Sequence, residues 1–376
     1  MFPKTASLPY QWHLDGNYLM GITLDRGWSL LKQNQFRLTS AYWHRVVAIL
    51  LTSGLSTLLS QVESWRYGHR VDAAELPEDP IFILGHWRSG TTFLHELLAL
   101  DTDQLAYANT FQVMSPQTFL LTEDFCQRWF ARLVPSHRPM DNMHLSFDSP
   151  QEDEFAIALT TLQSYYLALS FPQAEAYYER YLTLQDLSPA ELQQWQTAFL
   201  RFLKKLTLKY RCPLVLKSPP HTARIRLLLE LFPRARFVHI HRHPYAVFQS
   251  MRHYFDTAGW FTCLQKPNLQ VRDRAILRRY RTLYEAYFAQ QPLIPTGQFH
   301  EVSFSALEAD PITQMQRLYQ ALKLSYSQEL DAKLHCYVTA RQDYRKNAFP
   351  SLETSIQQQI NREWRFAFDT WGYAMG

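Results

Sequence analysis

Ile81-Phe82-Ile83-Leu84-Gly85-His86-Trp87-Arg88-Ser89-Gly90-Thr91-Thr92 is the stretch that decides the fold. A short apolar run closing on a glycine suits a strand buried on both faces of a parallel sheet. From Thr91 to Leu100 the pattern turns helical. Between the two, Gly85 and Gly90 keep the G-x-x-x-x-G spacing of a phosphate loop, and Thr92 stands where that loop has its Ser or Thr. Such a loop, opening a helix, aims backbone N–H groups at an anion, and the helix dipole adds to the attraction. The lysine expected after the second glycine is replaced by Thr91, and the cation is Arg88, two residues before Gly90. A nucleoside triphosphatase sets that lysine on its phosphates and holds Mg²⁺ with an Asp at a strand end. Here the other strand ends are basic: Leu214-Val215-Leu216 leads to Lys217, and Phe237-Val238-His239-Ile240 leads to His241-Arg242. Basic strand ends suit an anionic donor that needs no metal.

Outward from the loop, strand and helix signals alternate. Leu214–Leu216 predicts a strand, Thr222–Phe232 a helix, Phe237–Ile240 a strand and Pro244–Phe255 a helix. That rhythm argues a parallel sheet with crossover helices. Ser149-Pro150-Gln151-Glu152 reads as the start of a helix running towards Ser170, and Ser188-Pro189-Ala190-Glu191 as a capped start with proline just inside. A basic helix is expected over about Val271–Gln290, a strand at Phe299–Phe304 and a closing helix over Glu353–Trp371. The expected architecture is α/β: three layers, α/β/α, around a central parallel sheet, P-loop-like. A helical N-terminal extension, residues 1–75, precedes the α/β domain of residues 76–376, with the turn cluster Glu75–Pro80 between them.

Composition bounds the function. The 376 residues are 47% hydrophobic and 19% charged, which gives a large core and excludes a wholly disordered chain. The net charge of +4 is too small for a general nucleic-acid binder. Cys126, Cys212, Cys263 and Cys336 are too scattered for a zinc knuckle or a disulfide scaffold. The start, MFPKTASLPYQWHLDG, has no apolar segment of secretory type, and a cytoplasmic protein is expected. The uncharged stretch Val46–Val62 is shorter than the roughly 20 residues of a spanning helix. Its apolar residues, Val47, Leu50, Leu51, Leu55, Leu58, Leu59 and Val62, form one stripe, opposite Thr52, Ser53, Ser56, Thr57 and Ser60. We read it as a packed helix with the stripe inward. A helix lying on a membrane surface is the other reading, but such helices carry Lys or Arg on the polar face and this one does not.

Arg88-Ser89-Gly90-Thr91-Thr92 resembles the 5′-phosphosulfate loop of the PAPS-dependent sulfotransferases, whose form is Lys or Arg-Ser-Gly-Thr-Thr. The resemblance continues where Arg242 ends a strand and Ser250 follows eight residues later on a helix, the pattern of the family's 3′-phosphate site. Lys217-Ser218-Pro219-Pro220-His221 looks like the lysine strand of the bacterial-type branch. Tyr344-Arg345-Lys346-Asn347 resembles a late basic segment that closes over the nucleotide. The likeness covers about residues 76–376. It departs from the cytosolic small-molecule enzymes at Arg88, in place of Lys, at Pro219, in place of a strand histidine, and at Phe304, in place of Tyr.

What the resemblance implies is transfer of a sulfuryl group from PAPS to a hydroxyl or amine, without metal. Arg88 would meet the bridging or leaving oxygen. Ser89, Gly90, Thr91 and Thr92 would hold the 5′-phosphate, Arg242 and Ser250 the 3′-phosphate, Phe304 the adenine, and Lys346 with Asn347 the closing segment. Lys217 would contact the sulfuryl oxygens. Two groups stand as candidate bases: His221, beside the lysine strand, and Glu154, in the cluster Glu152-Asp153-Glu154. The acceptor could be a small molecule, a lipid or a glycan. A P-loop small-molecule kinase using ATP and Mg²⁺ and a non-catalytic nucleotide-binding protein remain as alternatives. The run Arg272, Arg274, Arg278, Arg279, Arg281 is expected to be a solvated helix face. His239, His241 and His243 alternate near a strand end, but no cysteine or carboxylate completes a metal set in the sequence nearby.

Overall fold

The computed structural model describes residues 12–14, 17–76, 79–130, 146–341, 347 and 349–376. Five strands, β1 (Ile81–Leu84), β2 (Ala106–Tyr107), β3 (Leu214–Lys217), β4 (Arg236–His241) and β5 (Phe299–Ser303), form one parallel sheet in the order β2-β3-β1-β4-β5. The central strand β1 pairs with β3 through Ile83↔Lys217 and with β4 through Leu84↔His239. After β1 the chain moves to one side of the sheet, and before β4 it crosses to the other. The carboxyl ends of β1 and β4 therefore flank a topological switch point, where α/β sheets bind ligands.

Every β1 side chain is buried, and the strand's alternation divides them between two layers. Phe82 and Leu84 join Leu216, Phe237 and Phe199 on one face, while Ile81 and Ile83 join Val215, Val238, Ile240 and Leu97 on the other. Helices α1 (Leu24–Gln33) and α2 (Trp43–Asp72) add Leu30, Leu31, Val46 and Ile49 to the first layer. The sequence-expected helix at the phosphate loop is α3 (Thr91–Ala99). The helix Pro189–Tyr210 starts as its capping residues predict: Ser188 Oγ accepts from Glu191 N, and the Glu191 carboxylate accepts from Ser188 N.

Several elements differ from expectation. The two-residue strand β2 is too short to leave a periodic signal. The single helix expected over 149–170 is instead a helix at Glu154–Thr161, a left-handed residue at Leu162 (φ 63°) and a short turn of helix at Leu167–Ser170. The helix expected from Thr222 is a 3-10 turn at Pro219–Ala223, with the two prolines in its first positions, followed by a helix at Ile225–Leu231. The closing helix is two helices, Thr354–Glu363 and Arg365–Trp371, meeting at buried Trp364. The arginine run on the helix Arg272–Gln290 is solvated in the main: Arg274, Arg278 and Arg281 are exposed, the last two paired at the surface with Glu179 and Glu363, and Arg272 is half-buried on Asp256; the exception is Arg279, buried against Glu175 and the Tyr165 ring.

The largest departure is α2. Its Ser/Thr side faces the protein, with Ser53 fully buried, while Val47, Leu51, Leu55, Leu58 and Val62 are exposed. The packed helix is present, but its apolar stripe points outward.

Candidate active site

The phosphate loop is fixed by crowding at its two glycines. Gly85 has φ 145°, and a Cβ there would meet the Ile240 carbonyl oxygen at 2.5 Å. Gly90 has φ 103°, and a Cβ would strike the Phe304 ring at 2.2 Å. Only glycine fits either backbone. The Gly85 N–H donates to Thr222 Oγ1 (2.7 Å), which ties the loop to the turn after β3. Ser89 Oγ donates to the His86 carbonyl (2.7 Å), and Arg88 adopts the left-handed region at φ 68°. Gly90 forms the N-cap of α3, so the free N–H groups of the first turn open towards the loop.

Across the switch point the second phosphate motif meets the first. Arg242 Nη1 donates to the Arg88 carbonyl (3.1 Å), and Arg88 Nε donates to Ser250 Oγ (2.9 Å). Arg242 also lies over the Phe304 ring, 4.6 Å from its centroid. Arg88, Arg242, Ser250 and Phe304, up to 216 positions apart by residue number, therefore share one crevice. Asn347 is exposed beside a segment anchored on the Ser250 helix (Pro244–Asp256): the Pro350 carbonyl accepts from Gln249, and Phe349 packs on His253 with ring centroids 5.6 Å apart. Lys346 lies outside the described residues.

A model of the sulfotransferase family matches residues 80–328. The chain is 35% identical over 350 residues to omega-hydroxy-beta-dihydromenaquinone-9 sulfotransferase Stf3 of Mycobacterium tuberculosis, covering 92% of this chain and 88% of that protein; its Mycobacterium bovis counterpart matches equally. It belongs to the sulfotransferase family. Two solved sulfotransferases share the fold: STF9 of Mycobacterium avium (TM-score 0.67, 17% identity, 93% of this chain and 96% of that one) and STF1 of Mycobacterium tuberculosis (TM-score 0.61, 22% identity, 85% and 88%).

In this sulfotransferase the acidic triplet pairs in three rungs with the segment after β3. Glu152 meets Lys217 (Oε1–Nζ 2.7 Å), Asp153 meets His221 (Oδ2–Nε2 2.7 Å), and Glu154 meets Arg224 (Oε2–Nη1 2.7 Å). The second and third rungs are fully buried. His221 is packed edge-on to Phe82, 5.3 Å between centroids. Burial works to raise the Asp153 pKa, but the His221 charge and hydrogen bonds from His221 and Ser218 prevail and hold it below its ordinary value. Glu154 accepts both Arg224 nitrogens and the Ser164 hydroxyl. Neither candidate base thus faces open space.

The first rung differs. The Glu152 side chain keeps 13% exposure and also accepts the Tyr166 hydroxyl, whose oxygen in turn accepts Trp87 Nε1–H (3.1 Å) from the phosphate loop itself. Burial, then the Glu152 charge, push the Tyr166 phenol well above its ordinary pKa, so it stays protonated and donates. On this side of the loop the half-buried Trp87 ring packs on the buried Tyr165 ring, centroids 5.6 Å apart. Sequence reasoning singled out the triplet but not Glu152, and missed Trp87 and Tyr166. The neighbouring loop residue His86 is fully buried, and burial drives its pKa down to about 3, so it is neutral.

His239 and His241 share a strand face as alternation requires, with rings stacked 6.1 Å apart. Each is otherwise engaged: His239 Nδ1 with Glu301 (2.7 Å) and His241 Nδ1 with the Tyr373 hydroxyl (2.8 Å). Among the described residues no group of three or more His, Cys, Asp or Glu is arranged to hold a metal ion.

Proposed function

We propose that this chain transfers a sulfuryl group from PAPS to the hydroxyl of a menaquinone-type lipid. The observation that carries the reading is the meeting of Arg88, Ser250 and Arg242 across the switch point. Two cations, a hydroxyl and a helix N-terminus in one crevice form a donor set for a nucleotide with phosphate at both ends. The lipid class rests on the 35% identical relative, whose name gives an omega-hydroxylated dihydromenaquinone as its substrate. Beside the loop the half-buried Trp87 ring, backed by the buried rings of Tyr165 and Tyr166, is the apolar group next to Glu152 that such a molecule would meet.

In this reading the loop N–H groups with Thr91 and Thr92 hold the 5′-phosphate, and Arg242 and Ser250 hold the 3′-phosphate. Phe304 lines the nucleotide side. Arg88 turns from Ser250 to the bridging oxygen, and Lys217 steadies the sulfuryl oxygens. The acceptor oxygen bonds to sulfur as the bridging sulfur–oxygen bond breaks, and adenosine 3′,5′-bisphosphate (PAP) departs with that electron pair. Glu152 takes the acceptor proton; this role passes to it from His221 and Glu154, whose carboxylate or ring is enclosed by its partner. Residues 76–376 carry the site, residues 1–75 act as an extension to it, and the protein works in the cytoplasm.

The test is incubation of the purified protein with radiolabelled PAPS and an omega-hydroxylated menaquinone in detergent, alongside calorimetry with PAP and with ATP plus Mg²⁺. Label in the lipid and tight PAP binding without divalent metal support the reading. Preference for ATP with Mg²⁺ refutes the donor, and labelling only of other acceptors in a metabolite extract refutes the lipid.

A further inference from the structure

Helix α2 exposes an unbroken line of large apolar side chains. Trp43, Val47, Leu51, Leu55, Leu58, Val62 and Trp65 recur at spacings of three or four, and all seven are exposed, Leu51 at 74% and Trp65 at 87%. The segment Ser40–Asp72 is by length and composition apolar enough to cross a membrane, yet the fold pins it. Near one end Arg45 is buried and donates to the carbonyls of Trp260 (2.9 Å) and Cys263 (2.7 Å). Near the other, buried Glu63 pairs with Lys205 and accepts from Leu121 N (3.1 Å). A helix held by two buried charged groups cannot leave the body to span a bilayer, but it can lie on one.

The inward face explains how this orientation is tolerated. Thr52, Ser53, Thr57 and Ser60 donate their hydroxyls to carbonyls of the preceding turn, so packing them against the protein strands few polar groups. The cations absent from the polar side of α2 stand at its margins. Arg66 and Arg70 are exposed at its C-terminal end. Helix α1 lies alongside, its Leu24 N–H donating to Thr57 Oγ1 (2.8 Å); its exposed Trp28 is in ring contact (5.3 Å) with exposed Phe36 of the turn that follows, and Lys32 on the helix and Arg37 after it are exposed as well.

We propose that the outer face of α2, with α1 beside it, is a docking surface for an anionic lipid bilayer and holds the enzyme in the headgroup–acyl boundary. Tryptophans near both ends, aliphatic residues between them and arginines at the margin are the composition that boundary selects. The choice of a bilayer rests in part on the lipid acceptor proposed above, since such an acceptor resides in the membrane. The other occupant with matching chemistry is a second copy, because Leu51, Leu55, Leu58, Val62 and Trp65 also keep a heptad-like spacing.

Flotation of the full chain with vesicles of phosphatidylcholine plus phosphatidylglycerol, and of phosphatidylcholine alone, tests the surface. The wild type should float with the anionic vesicles and less with the neutral ones. The triple variant Leu51→Ser, Leu55→Ser, Leu58→Ser should lose binding on the order of tenfold or more. Arg66→Glu with Arg70→Glu should lower binding to anionic vesicles only. PAP affinity should stay at the wild-type value in both variants, which also reports that they fold. Wild type that binds PAP but does not float overturns the inference and leaves the sulfotransferase reading intact. A concentration-dependent dimer that the triple variant abolishes, without flotation, assigns the face to a second copy and likewise overturns it. A chain that floats yet sulfates no lipid keeps the docking surface and removes the acceptor.

Discussion

Glu152 and Glu154 stand two residues apart, and the proposed mechanism gives them opposite roles on the three-rung ladder. Replacing Glu154 by Ala strands the Arg224 guanidinium, which is fully buried with its partner at 2.7 Å. Arg224 keeps the Leu182 and Tyr181 carbonyls, but no negative charge remains beside it. Removing one member of a buried ion pair costs about 3–5 kcal/mol. Unfolding entropy of ~2.1 cal/mol/K per residue over 376 residues converts ~4 kcal/mol into a fall in Tm of about 5 °C. The variant that remains folded should turn over near the wild-type rate. Glu152→Gln should behave in reverse. The amide oxygen can still accept from Lys217 or Tyr166, but the Lys217 ammonium, 1% exposed, loses its counter-charge, so stability also falls, by up to about 3 kcal/mol; the reversal lies in turnover. The lost base should lower kcat by about 10²–10⁴-fold. PAP affinity should hold or rise, because a carboxylate has left the neighbourhood of a polyanion. Urea unfolding, calorimetry with PAP and initial rates on both proteins measure all three. An inactive Glu154→Ala at wild-type stability, or a Glu152→Gln at wild-type turnover, would refute the assignment.

Arg88→Ala should lower kcat on the order of a hundredfold, since charge on the leaving oxygen grows only in the transition state. Arg242→Ala should instead weaken PAP binding, by about 1.5–3 kcal/mol for a charge-assisted hydrogen bond, with kcat at saturation little changed; the split between kcat and affinity is the readout. Gly90→Ala should cost both stability and PAP affinity, because its Cβ would displace Phe304 at 2.2 Å and the φ of 103° disfavours any side chain. Acid should weaken the fold through His86 and His95, both fully buried, with pKa values pushed to about 3 by burial. Unfolded histidines titrate near ~6.5, so below that value the unfolded chain binds the extra protons. The stability is fully present above about pH 6.5 and falls as pH drops towards 3, by ~1.4 kcal/mol per pH unit for each histidine. Urea midpoints that stay level from about pH 7 to about pH 5 would contradict this.

What the sequence made legible was local. The strand, loop and helix of 81–99 are written in four apolar residues, two glycines and a helical run, all within reach of short-range reasoning. The Ser188–Glu191 cap and the strand-end Arg242 with Ser250 are of the same kind. The Glu152–Asp153–Glu154 triplet shows where such reasoning stops. Its composition marks a helix start, and its neighbours are consistent with one. Which carboxylate stays nearest the solvent is decided by partners 65 or more residues away, Lys217, His221 and Arg224. Those partners descend from the mouth of the site into the core, and successive residues of the triplet follow them down. Sequence adjacency to Lys217 made His221 attractive as a base, yet the 3-10 turn over Pro219–Ala223 carries it under the sheet against Phe82.

Helix α2 marks a different limit. Periodicity assigns residues to a face and says nothing about which way the face is turned. The usual inference, that the apolar face turns inward, assumes water on the other side. On α2 the inward contacts are made by Val46, Ile49 and Val71 together with Ser53, Arg45 and Glu63, residues chosen for fit and for pairing rather than for hydropathy. The outward leucines then carry a standing penalty in water. Full burial of a leucine is worth about 1.5–3 kcal/mol, and Leu51, Leu55 and Leu58 are each more than half exposed. Several kcal/mol of unrealised burial on one helix is large against the total stability of a domain, roughly 5–15 kcal/mol. An apolar surface such as a bilayer supplies that burial without altering any contact inside the protein. The same helix adds Val46 and Ile49 to the apolar layer that supports β1, the strand leading into the phosphate loop. A membrane-seated α2 would thereby tie the strand that leads into the phosphate loop to the lipid surface.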